Sequence, residues 1–305
     1  MKVSIIGSGV YAKAISTLLL ASSCTVTMWT EKKDFKEVLA KEGTILTNSY
    51  EEVTRDAEVI FILTSSKFVP DALKGIAPTL SSSTIIVLGS KGILPDGTMM
   101  TRLIEENLPQ NSYAVISGPT FATDIVALDP VGFTLASTDK TVFSTIASCL
   151  KGVTLEFLDD PTAIEMCGSL KNVYAIGSGI LSGTNYGPST NCLYITKALH
   201  EIEHIFTKYN LNEKALTSLA GIGDLVLTCT NINSRNYTFG TLLALKDQSA
   251  IESYLNSNTV EGYENLKAYV GLFKKDVIEA PIMAILNDII NGNKHTDDLV
   301  KMILK

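Results

Sequence analysis

The chain has 305 residues, a hydrophobic share of 46% and a formal net charge of −7. That length can form one large or two ordinary domains with a sizeable core. No block of lysine and arginine is present that could follow a nucleic acid or lie on an anionic membrane, which argues against both partners. The N-terminus does not read as a signal peptide, and no apolar run is as long as a membrane span.

Five cysteines are scattered along the chain without a C-x-x-C pair. Disulfides are rare in reducing compartments, so we interpret these cysteines as reduced core residues of a cytoplasmic protein. They are Cys24, Cys149, Cys167, Cys192 and Cys229.

The first half alternates short β-rich apolar runs with helical patterns, which is typical of βαβ units and a mostly parallel sheet. Helical spacing is clear over 99–104 and 142–150. We predict a doubly wound, Rossmann-type α/β domain over residues 1–159. The predicted strands are Val3–Ile6, Thr25–Trp29, Val59–Leu63, Thr84–Leu88, Tyr113–Ile116, Val131–Leu135 and Val153–Phe157.

After Asp159-Asp160-Pro161 the apolar period becomes that of helices. We therefore predict an all-helical domain over residues 160–305. A glycine-spaced string at 177–183 follows a helical pattern rather than a strand, and we expect it to be a helix end and loop. The other predicted helices cover 163–174, Leu193–Phe206, Tyr263–Phe273, Pro281–Ile290 and Asp297–Leu304.

A G-x-G-x-x-A turn follows the first predicted strand and opens a helix. Gly7 allows the tight turn, Gly9 allows a pyrophosphate to approach the backbone, and small Ala12 allows close packing of helix on strand. The helix N-terminus supplies N–H donors for phosphates. Such a turn also occurs without a ligand, but its position in a βαβ chain favours a dinucleotide site. The six residues are Gly7, Ser8, Gly9, Val10, Tyr11 and Ala12.

Glu31 lies 22 positions after Gly9, where an acidic residue binds the ribose hydroxyls of NAD. Its charge would repel the 2′-phosphate of NADP. Lys32 and Lys33 follow directly and could offset that repulsion, so NAD is favoured while NADP stays open.

Lys171 is predicted to lie on the first helix of the second half. Its neighbours one helical turn away, Cys167, Gly168, Tyr174 and Ala175, carry no charge. Because desolvation disfavours the charged form, we expect a depressed pKa for this lysine, which suits a general acid or base. The alternative is a long side chain that reaches water.

Asp224 lies in an apolar run from Leu219 to Leu227. A carboxylate is rarely buried without a partner, and the simplest partner here is Lys171. The alternative is a surface N-cap at the start of a helix.

Two other polar segments are candidates for substrate binding. Lys91 follows a predicted strand and is expected at the carboxyl edge of the sheet, where doubly wound folds bind ligands, although a loop lysine is often only solvated. Arg235 and Asn236, after Ser234, offer a planar fork and an amide that suit a phosphate.

His200-Glu201-Ile202-Glu203-His204 matches the H-E-x-x-H zinc signature. A hydrolytic site needs a third ligand, and His295 is the one other histidine. The string also fits an ordinary amphipathic helix, so we predict no metal site.

Together these segments resemble the NAD(P)-dependent glycerol-3-phosphate dehydrogenase family, nearly end to end. The resemblance implies a Rossmann-type first domain, a helical second domain and usually a homodimer. It further implies supply of glycerol 3-phosphate for phospholipid synthesis. It rests on the G-x-G turn, Ser90-Lys91-Gly92, Ser117-Gly118-Pro119-Thr120-Phe121-Ala122, Leu170-Lys171-Asn172-Val173, the run from Leu219 to Thr230, Ser234-Arg235-Asn236 and Val260-Glu261-Gly262-Tyr263.

The resemblance also implies residue roles. Lys171 matches the catalytic acid/base, which Asp224 and Lys91 hold and tune. The positions that match substrate contacts are Lys91, Gly118, Thr120, Lys171, Asp224, Ser234, Arg235 and Asn236. The positions that match cofactor contacts are Gly7, Ser8, Gly9, Val10, Tyr11, Ala12, Glu31, Lys91, Ala122, Arg235 and Glu261. Val10 stands where the family commonly has serine, so one hydrogen bond to the cofactor is lost.

Two other functions are compatible with the same architecture. A dehydrogenase of a small hydroxy acid would give no reason for the Arg235-Asn236 pair. A nucleotide-sensing protein that has lost catalysis would bind NADH without turnover.

Overall fold

A computed structural model describes residues 1–304 and shows two compact units. Unit 1 contains Met1–Lys91 and Met99–Glu165, and unit 2 contains Gly92–Thr98 and the chain from Met166 onward. The domain limits predicted from the sequence, 1–159 and 160–305, stay a prediction.

Unit 1 is built on one eight-stranded sheet with strand order β3-β2-β1-β4-β5-β6-β7-β8. All neighbouring strands are parallel except β6 and β7. Because the chain runs outward from β1 in both directions, the sheet has a topological switch point beside β1. The strands are β1 Lys2–Ile6, β2 Thr25–Trp29, β3 Thr44–Thr47, β4 Val59–Ile62, β5 Ile85–Leu88, β6 Tyr113–Ser117, β7 Gly132–Ala136 and β8 Thr154–Leu158.

The central strands are apolar because helices cover both faces of a parallel sheet. All four residues of β4 are buried, and Ile5, Phe61 and Phe133 belong to a core that α1 and α6 help to close. The doubly wound fold predicted from the sequence is thus confirmed. The helices of this unit are α1 Val10–Ala21, α2 Tyr50–Thr54, α3 Val69–Ile76, α4 Met100–Asn107, α5 Ala122–Ala127 and α6 Lys140–Cys149.

All seven predicted strands are present within one residue at each end, but β3 was not predicted. It has four residues, Thr-Ile-Leu-Thr, and lies at the edge of the sheet with Ile45 exposed. A short strand that is paired on one side shows little apolar pattern, because solvent covers much of it.

Unit 2 is helical, as predicted, and has no strand among its described residues. One predicted helix, Pro281–Ile290, matches an observed helix at both ends, and the other four each begin or end within a few residues of an observed helix. The helices are α7 Pro161–Gly183, which begins in unit 1, α8 Pro188–Tyr209, α9 Asp224–Thr230, α10 Arg235–Leu245, α11 Gln248–Ser257, α12 Glu261–Asp276, α13 Pro281–Ile290 and α14 Asp297–Ile303.

The prediction that the glycine string at 177–183 forms a helix end and loop is wrong, since α7 continues to Gly183. The glycines allow other helices to pack closely on α7. A Cβ on Gly177 would lie 2.1 Å from the hydroxyl oxygen of Tyr194, and one on Gly179 would lie 1.9 Å from the carbonyl oxygen of Tyr237. Glycine in a helix lowers propensity, but here tertiary packing decides.

Four of the five cysteines are buried, whereas Cys192 is exposed on α8. The prediction that all five are core residues is therefore wrong for Cys192. Over residues 1–304, no helix is both long enough and apolar enough to cross a bilayer.

Candidate active site

The glycine turn of unit 1 joins β1 to α1 at the switch point of the sheet. Gly7 has φ +116°, a conformation that favours glycine, and its N–H donates to the Trp29 carbonyl at 3.2 Å. A Cβ on Gly7 would lie 3.0 Å from the Leu63 carbonyl oxygen on the other neighbouring strand. The turn is therefore held between β2 and β4 at the carboxyl edge.

The start of α1 is open to an anionic ligand. Gly9 is the N-cap residue and provides no side-chain cap, and a Cβ placed on it would meet no described atom within 4 Å. Ala12 is fully buried, so the helix packs tightly on the sheet just behind the turn. Open space at a helix N-terminus with unused N–H donors fits the phosphates of a dinucleotide.

Ser8 and Val10 contribute differently from the turn glycines. The Ser8 hydroxyl is hydrogen-bonded to the Thr30 hydroxyl at 2.8 Å, which ties the turn to the end of β2. Val10 is 72% exposed at the first position of α1. A valine side chain cannot hydrogen-bond a ligand, so beyond its backbone N–H at the helix N-terminus Val10 offers only apolar contact.

Glu31 lies at the carboxyl end of β2 and is exposed. Lys32 is turned toward Glu37, with 3.5 Å between Lys32 Nζ and Glu37 Oε2 and a hydrogen bond of 3.3 Å to the Glu37 carbonyl. The charge of Lys32 is thus partly balanced by Glu37. Both side chains are exposed, so this ion pair contributes little to stability.

Four more predicted residues lie in unit 1. Lys91 Nζ is 5.8 Å from the centroid of the Tyr11 ring, a cation–π contact next to the glycine turn. A Cβ on Gly118 would lie 2.4 Å from the Gly132 carbonyl oxygen, so glycine is required there for β6 to meet β7. Ala122 begins α5 and packs against the core.

Thr120 has a buried hydroxyl that lacks a hydrogen-bond partner among the described residues. Thr120 is 8% exposed and lies in the short segment between β6 and α5. Because an unpaired buried hydroxyl costs free energy, it fits a position that a polar ligand would satisfy. The substrate role of Thr120 stays a prediction.

Lys171 and Asp224 form a buried ion pair in unit 2, as predicted. Lys171 is 7% exposed and Asp224 is 1% exposed. Lys171 Nζ also donates to the Thr228 hydroxyl at 2.9 Å, and that hydroxyl donates to the Asp224 carbonyl at 2.6 Å. Burial disfavours the ammonium ion and the nearby carboxylate favours it, so the two effects oppose each other at this lysine.

The local chain explains why Asp224 is buried. It is the first residue of α9, directly after a π-helical turn at Leu219–Gly223. A Cβ on Gly221 would lie 2.1 Å from the Ala215 carbonyl oxygen, so glycine is required for this tight turn. Asp224 is not the N-cap of α9, because Gly223 occupies that position, and the surface-cap alternative is thereby excluded.

Thr228 was missed by the sequence reasoning. It lies four residues after Asp224 on α9, so the two side chains occupy one helix face. That spacing was the available signal, but threonine in an apolar helix is usually only a core residue. Around Lys171 the pocket is lined by the apolar side chains of Cys167, Leu199, Ile202, Leu216 and Leu225.

The predicted phosphate segment lies at the start of α10. Ser234 is the N-cap, and its hydroxyl accepts from the Tyr237 N–H at 3.3 Å. Arg235 is exposed, and its guanidinium forms no ion pair with an acid in the described part of the chain. Its carbonyl accepts from the Tyr254 hydroxyl at 3.2 Å.

Asn236 is buried and used by the fold. Its Nδ2 donates to Asn172 Oδ1 at 2.9 Å, and its Oδ1 accepts from the Gly262 N–H at 2.8 Å. Glu261, the predicted cofactor contact, accepts from Asn172 Nδ2 at 3.2 Å. The structure thus places Asn236 and Glu261 on one hydrogen-bond network, which the sequence did not indicate.

The H-E-x-x-H string is an amphipathic segment of α8. His200 and His204 are exposed, whereas Glu201 is buried and accepts from the Ile282 N–H at 2.7 Å and the Met283 N–H at 3.1 Å. Glu201 therefore caps the N-terminus of α13. Burial raises its pKa to about 7. Residues 1–304 contain no group of three side chains that could hold a metal ion.

A mostly parallel sheet with an open glycine turn at its switch point defines a Rossmann-type dinucleotide-binding protein. The NAD-dependent glycerol-3-phosphate dehydrogenase N-terminus and C-terminus profiles match residues 2–143 and 160–301. The chain belongs to the NAD-dependent glycerol-3-phosphate dehydrogenase family.

Individual relatives match over most of their length. A glycerol-3-phosphate dehydrogenase (NAD(P)+) of Idiomarina loihiensis is 28% identical over 302 residues, which cover 92% of this chain and 90% of the relative. One of Ruthia magnifica is 29% identical, with coverage of 99% and 96%. The crystal structure of the Coxiella burnetii glycerol-3-phosphate dehydrogenase is 25% identical, with a TM-score of 0.93 and coverage of 100% and 98%.

Proposed function

We propose that this chain interconverts glycerol 3-phosphate and dihydroxyacetone phosphate with NAD or NADP. The observation that carries the proposal is the buried cluster of Lys171, Asp224 and Thr228 in a chain of this family. A buried lysine needs a strong reason to be present, because its desolvation is costly. Proton transfer to a carbonyl oxygen is such a reason.

In the reductive direction Lys171 gives a proton from Nζ to the carbonyl oxygen of the substrate. Asp224 keeps the lysine charged before that transfer and fixes the direction of Nζ, and Thr228 accepts a second hydrogen bond from the same nitrogen. A bound nicotinamide supplies or accepts the hydride. General acids of this kind typically contribute about 10²–10⁴-fold to the rate.

Arg235 is the proposed phosphate ligand. Its guanidinium is exposed and unpaired with the described acids, whereas the Asn236 amide is already committed in part to Asn172 and Gly262. A planar guanidinium matches two phosphate oxygens at once. Phosphate binding remote from the reacting carbon orients the carbonyl for transfer. In this proposal Ser234 and Asn236 fix the start of α10, which carries Arg235. Ser234 caps the helix, and Asn236 donates a hydrogen bond to Asn172.

We propose NAD as the preferred cofactor. Glu31 is exposed at the end of β2, and the charge of Lys32 is partly balanced by Glu37. That leaves the carboxylate of Glu31 to bind ribose hydroxyls and to repel a 2′-phosphate. Lys33 is exposed and could weaken this preference.

The remaining proposals concern the setting of the enzyme. We propose a cytoplasmic homodimer that supplies glycerol 3-phosphate for phospholipid synthesis. The free cysteines agree with a reducing compartment.

The test is oxidation of NADH by the purified chain with dihydroxyacetone phosphate, beside unphosphorylated dihydroxyacetone. Efficient turnover of the phosphorylated substrate alone is expected. Turnover of a small hydroxy acid instead would identify the rival dehydrogenase. Tight NADH binding with no turnover of any phosphorylated triose would identify a nucleotide-sensing protein, and stoichiometric zinc would reopen the hydrolase alternative.

A further inference from the structure

Three helices of unit 2 meet at one buried side chain, the amide of Asn172 on α7. Asn172 is 5% exposed. Its Nδ2 donates to Glu261 Oε2 at 3.2 Å, and its Oδ1 accepts from Asn236 Nδ2 at 2.9 Å. The partner carboxylate can only accept, so the orientation of the Asn172 amide is fixed by chemistry.

The same network closes on the backbone of α12. Asn236 Oδ1 accepts from the N–H of Gly262, one of the donors that a helix leaves unpaired in its first turn. A Cβ on Gly262 would lie 2.2 Å from the Asn172 carbonyl oxygen. The first turn of α12 thus lies directly on α7, with Asn172 between Glu261 and Asn236.

The residues of this network are sequence neighbours of the proposed site residues. Asn172 follows the proposed acid Lys171, Asn236 follows the proposed phosphate ligand Arg235, and Glu261 is itself a proposed cofactor contact. A functional side chain is precise when a second layer of hydrogen bonds fixes its rotamer. Asn172 bonds through its side chain both to Glu261 at the start of α12 and to Asn236 at the start of α10.

We propose that Asn172 is a positioning residue that orients the Glu261 carboxylate for the dinucleotide and holds the start of α10. The inference rests on the proposed function and on the cofactor contact that the family resemblance implies for Glu261. The amide donor of Asn172 fixes one carboxylate oxygen of Glu261. Cofactor affinity therefore depends on a residue that does not touch the cofactor.

Asn172→Asp is the sharpest test because it is nearly isosteric. It keeps an acceptor for Asn236 but replaces the donor that faces Glu261 with a carboxylate oxygen. Two carboxylates then repel each other, and Glu261 turns away. We expect the Kd for NADH to rise about tenfold, the change that one charge-assisted hydrogen bond can produce.

A second substitution should reverse the effect. In Asn172→Asp with Glu261→Gln, the donor and acceptor exchange sides, and the pair is restored. We expect the Kd of this double variant to lie within about threefold of that of Glu261→Gln alone, which shows that the two positions act as a pair. Binding is measured by nicotinamide fluorescence at equilibrium, without turnover.

Asn265→Asp is the matched control. Asn265 is also a buried asparagine, and its Nδ2 donates to the Ser169 carbonyl at 3.2 Å. Asn265→Asp should lower the melting temperature. Any loss of NADH affinity that it causes should not be restored by adding Glu261→Gln. A merely structural role for Asn172 would give the same result as this control and would overturn the proposal.

Four other outcomes count against the proposals. An unchanged Kd in Asn172→Asp, or a loss of affinity that Glu261→Gln does not restore, overturns the positioning role. A wild-type chain that binds NADH but does not reduce dihydroxyacetone phosphate removes the proposed function and leaves the Asn172 test in place. A wild-type chain that binds no NADH removes both.

Discussion

The candidate sites of the two units consist of different chemical groups. In unit 1 the phosphate cradle consists of backbone and empty space: Gly7 in a positive-φ turn and Gly9 with open space beside it. In unit 2 the candidate chemistry consists of buried polar side chains, with Lys171 paired to Asp224 and Asn172 bonded to Asn236. The backbone cradle of unit 1 requires small residues, whereas each buried polar side chain of unit 2 requires a hydrogen-bond or ion-pair partner.

This difference predicts how each site responds to amino-acid substitution. A backbone cradle is sensitive to added atoms where the ligand lies and otherwise costs the fold little. A buried ion pair is strongly destabilising to break, because removal of one partner leaves an uncompensated charge. We therefore expect substitutions in unit 1 to affect binding alone and those in unit 2 to affect stability as well.

The largest effect is expected for Lys171→Ala. It removes the proposed proton donor, and kcat should fall by about 10²–10⁴-fold while the Kd for NADH stays nearly unchanged. Steady-state kinetics and equilibrium binding measure the two effects. A variant that keeps more than about a tenth of the wild-type kcat would contradict the assignment.

That substitution also leaves Asp224 buried without its lysine, at a cost of about 3–5 kcal/mol. Circular dichroism checks that the variant is folded. Lys171→Arg keeps the charge but does not readily give up a proton, so it should be inactive and better folded. Lys208→Ala, at an exposed position on the neighbouring α8, is the control and should behave like the wild type.

The units resemble each other in one respect, since each has a buried glutamate that caps a helix. Glu165 in unit 1 accepts from the Met100 and Thr101 N–H groups, and Glu201 caps α13 in unit 2. Burial raises the pKa of each to about 7 from its usual value of 4.5. The folded chain therefore keeps protons that the unfolded chain releases.

The sign of the pH dependence follows directly. A carboxyl with a raised pKa stabilises the fold below pH 4.5, and that contribution is lost as pH rises through about 7. For Glu201 the loss should reach about 3 kcal/mol. Urea unfolding at pH 5 and pH 8 should show a smaller decrease for Glu201→Gln than for the wild type. Equal decreases would show that Glu201 titrates normally.

Arg235→Lys tests the exposed part of the unit 2 site. A lysine cannot reproduce the planar fork, and charge-assisted hydrogen bonds contribute about 1.5–3 kcal/mol each. We expect kcat/KM for dihydroxyacetone phosphate to fall at least about tenfold, with little change for dihydroxyacetone. An equal decrease for both substrates would mean that Arg235 supports the cofactor or the fold.

A pair of glycine substitutions compares the two units directly. Gly9→Ala adds a methyl group to open space, so it should leave the melting temperature unchanged and weaken NADH binding. Gly179→Ala forces a methyl group to within 1.9 Å of the Tyr237 carbonyl oxygen, which should cost at least about 1–3 kcal/mol. If Gly9→Ala bound NADH normally, the cradle assignment would have to be abandoned.

The smallest effect is expected at Glu31. Glu31→Ala should improve NADPH use a few-fold by removing repulsion of the 2′-phosphate. Trp29 is the single tryptophan and ends β2 two residues earlier, stacked on Tyr50 at 4.8 Å between ring centroids. Its fluorescence offers a second measurement, with ADP-ribose and 2′-phospho-ADP-ribose as ligands. Equal wild-type affinity for both would show that lysines or backbone groups dominate.

Local features were predictable from the sequence. The central strands, the helical second half and the Gly7 turn depend on apolar periodicity and on residue size, which short segments display. The pairing of Lys171 with Asp224 was also predicted, as the simplest partner for a carboxylate in an apolar run, and the structure excluded the alternative of a surface N-cap. Edge strand β3 was missed because solvent contact hides its pattern.

The tertiary structure decided what depends on distant neighbours. Gly177 and Gly179 lie inside α7 rather than in a loop because Tyr194 and α10 pack on them, and no local pattern contains that information. Thr228 joined the Lys171 cluster, and Asn172 bonded to Glu261, through contacts between separate helices. The sequence by itself determined the elements, the turn chemistry and the family. Only the fold decided which buried polar groups meet, because their free energy depends on partners that the chain brings together from far apart.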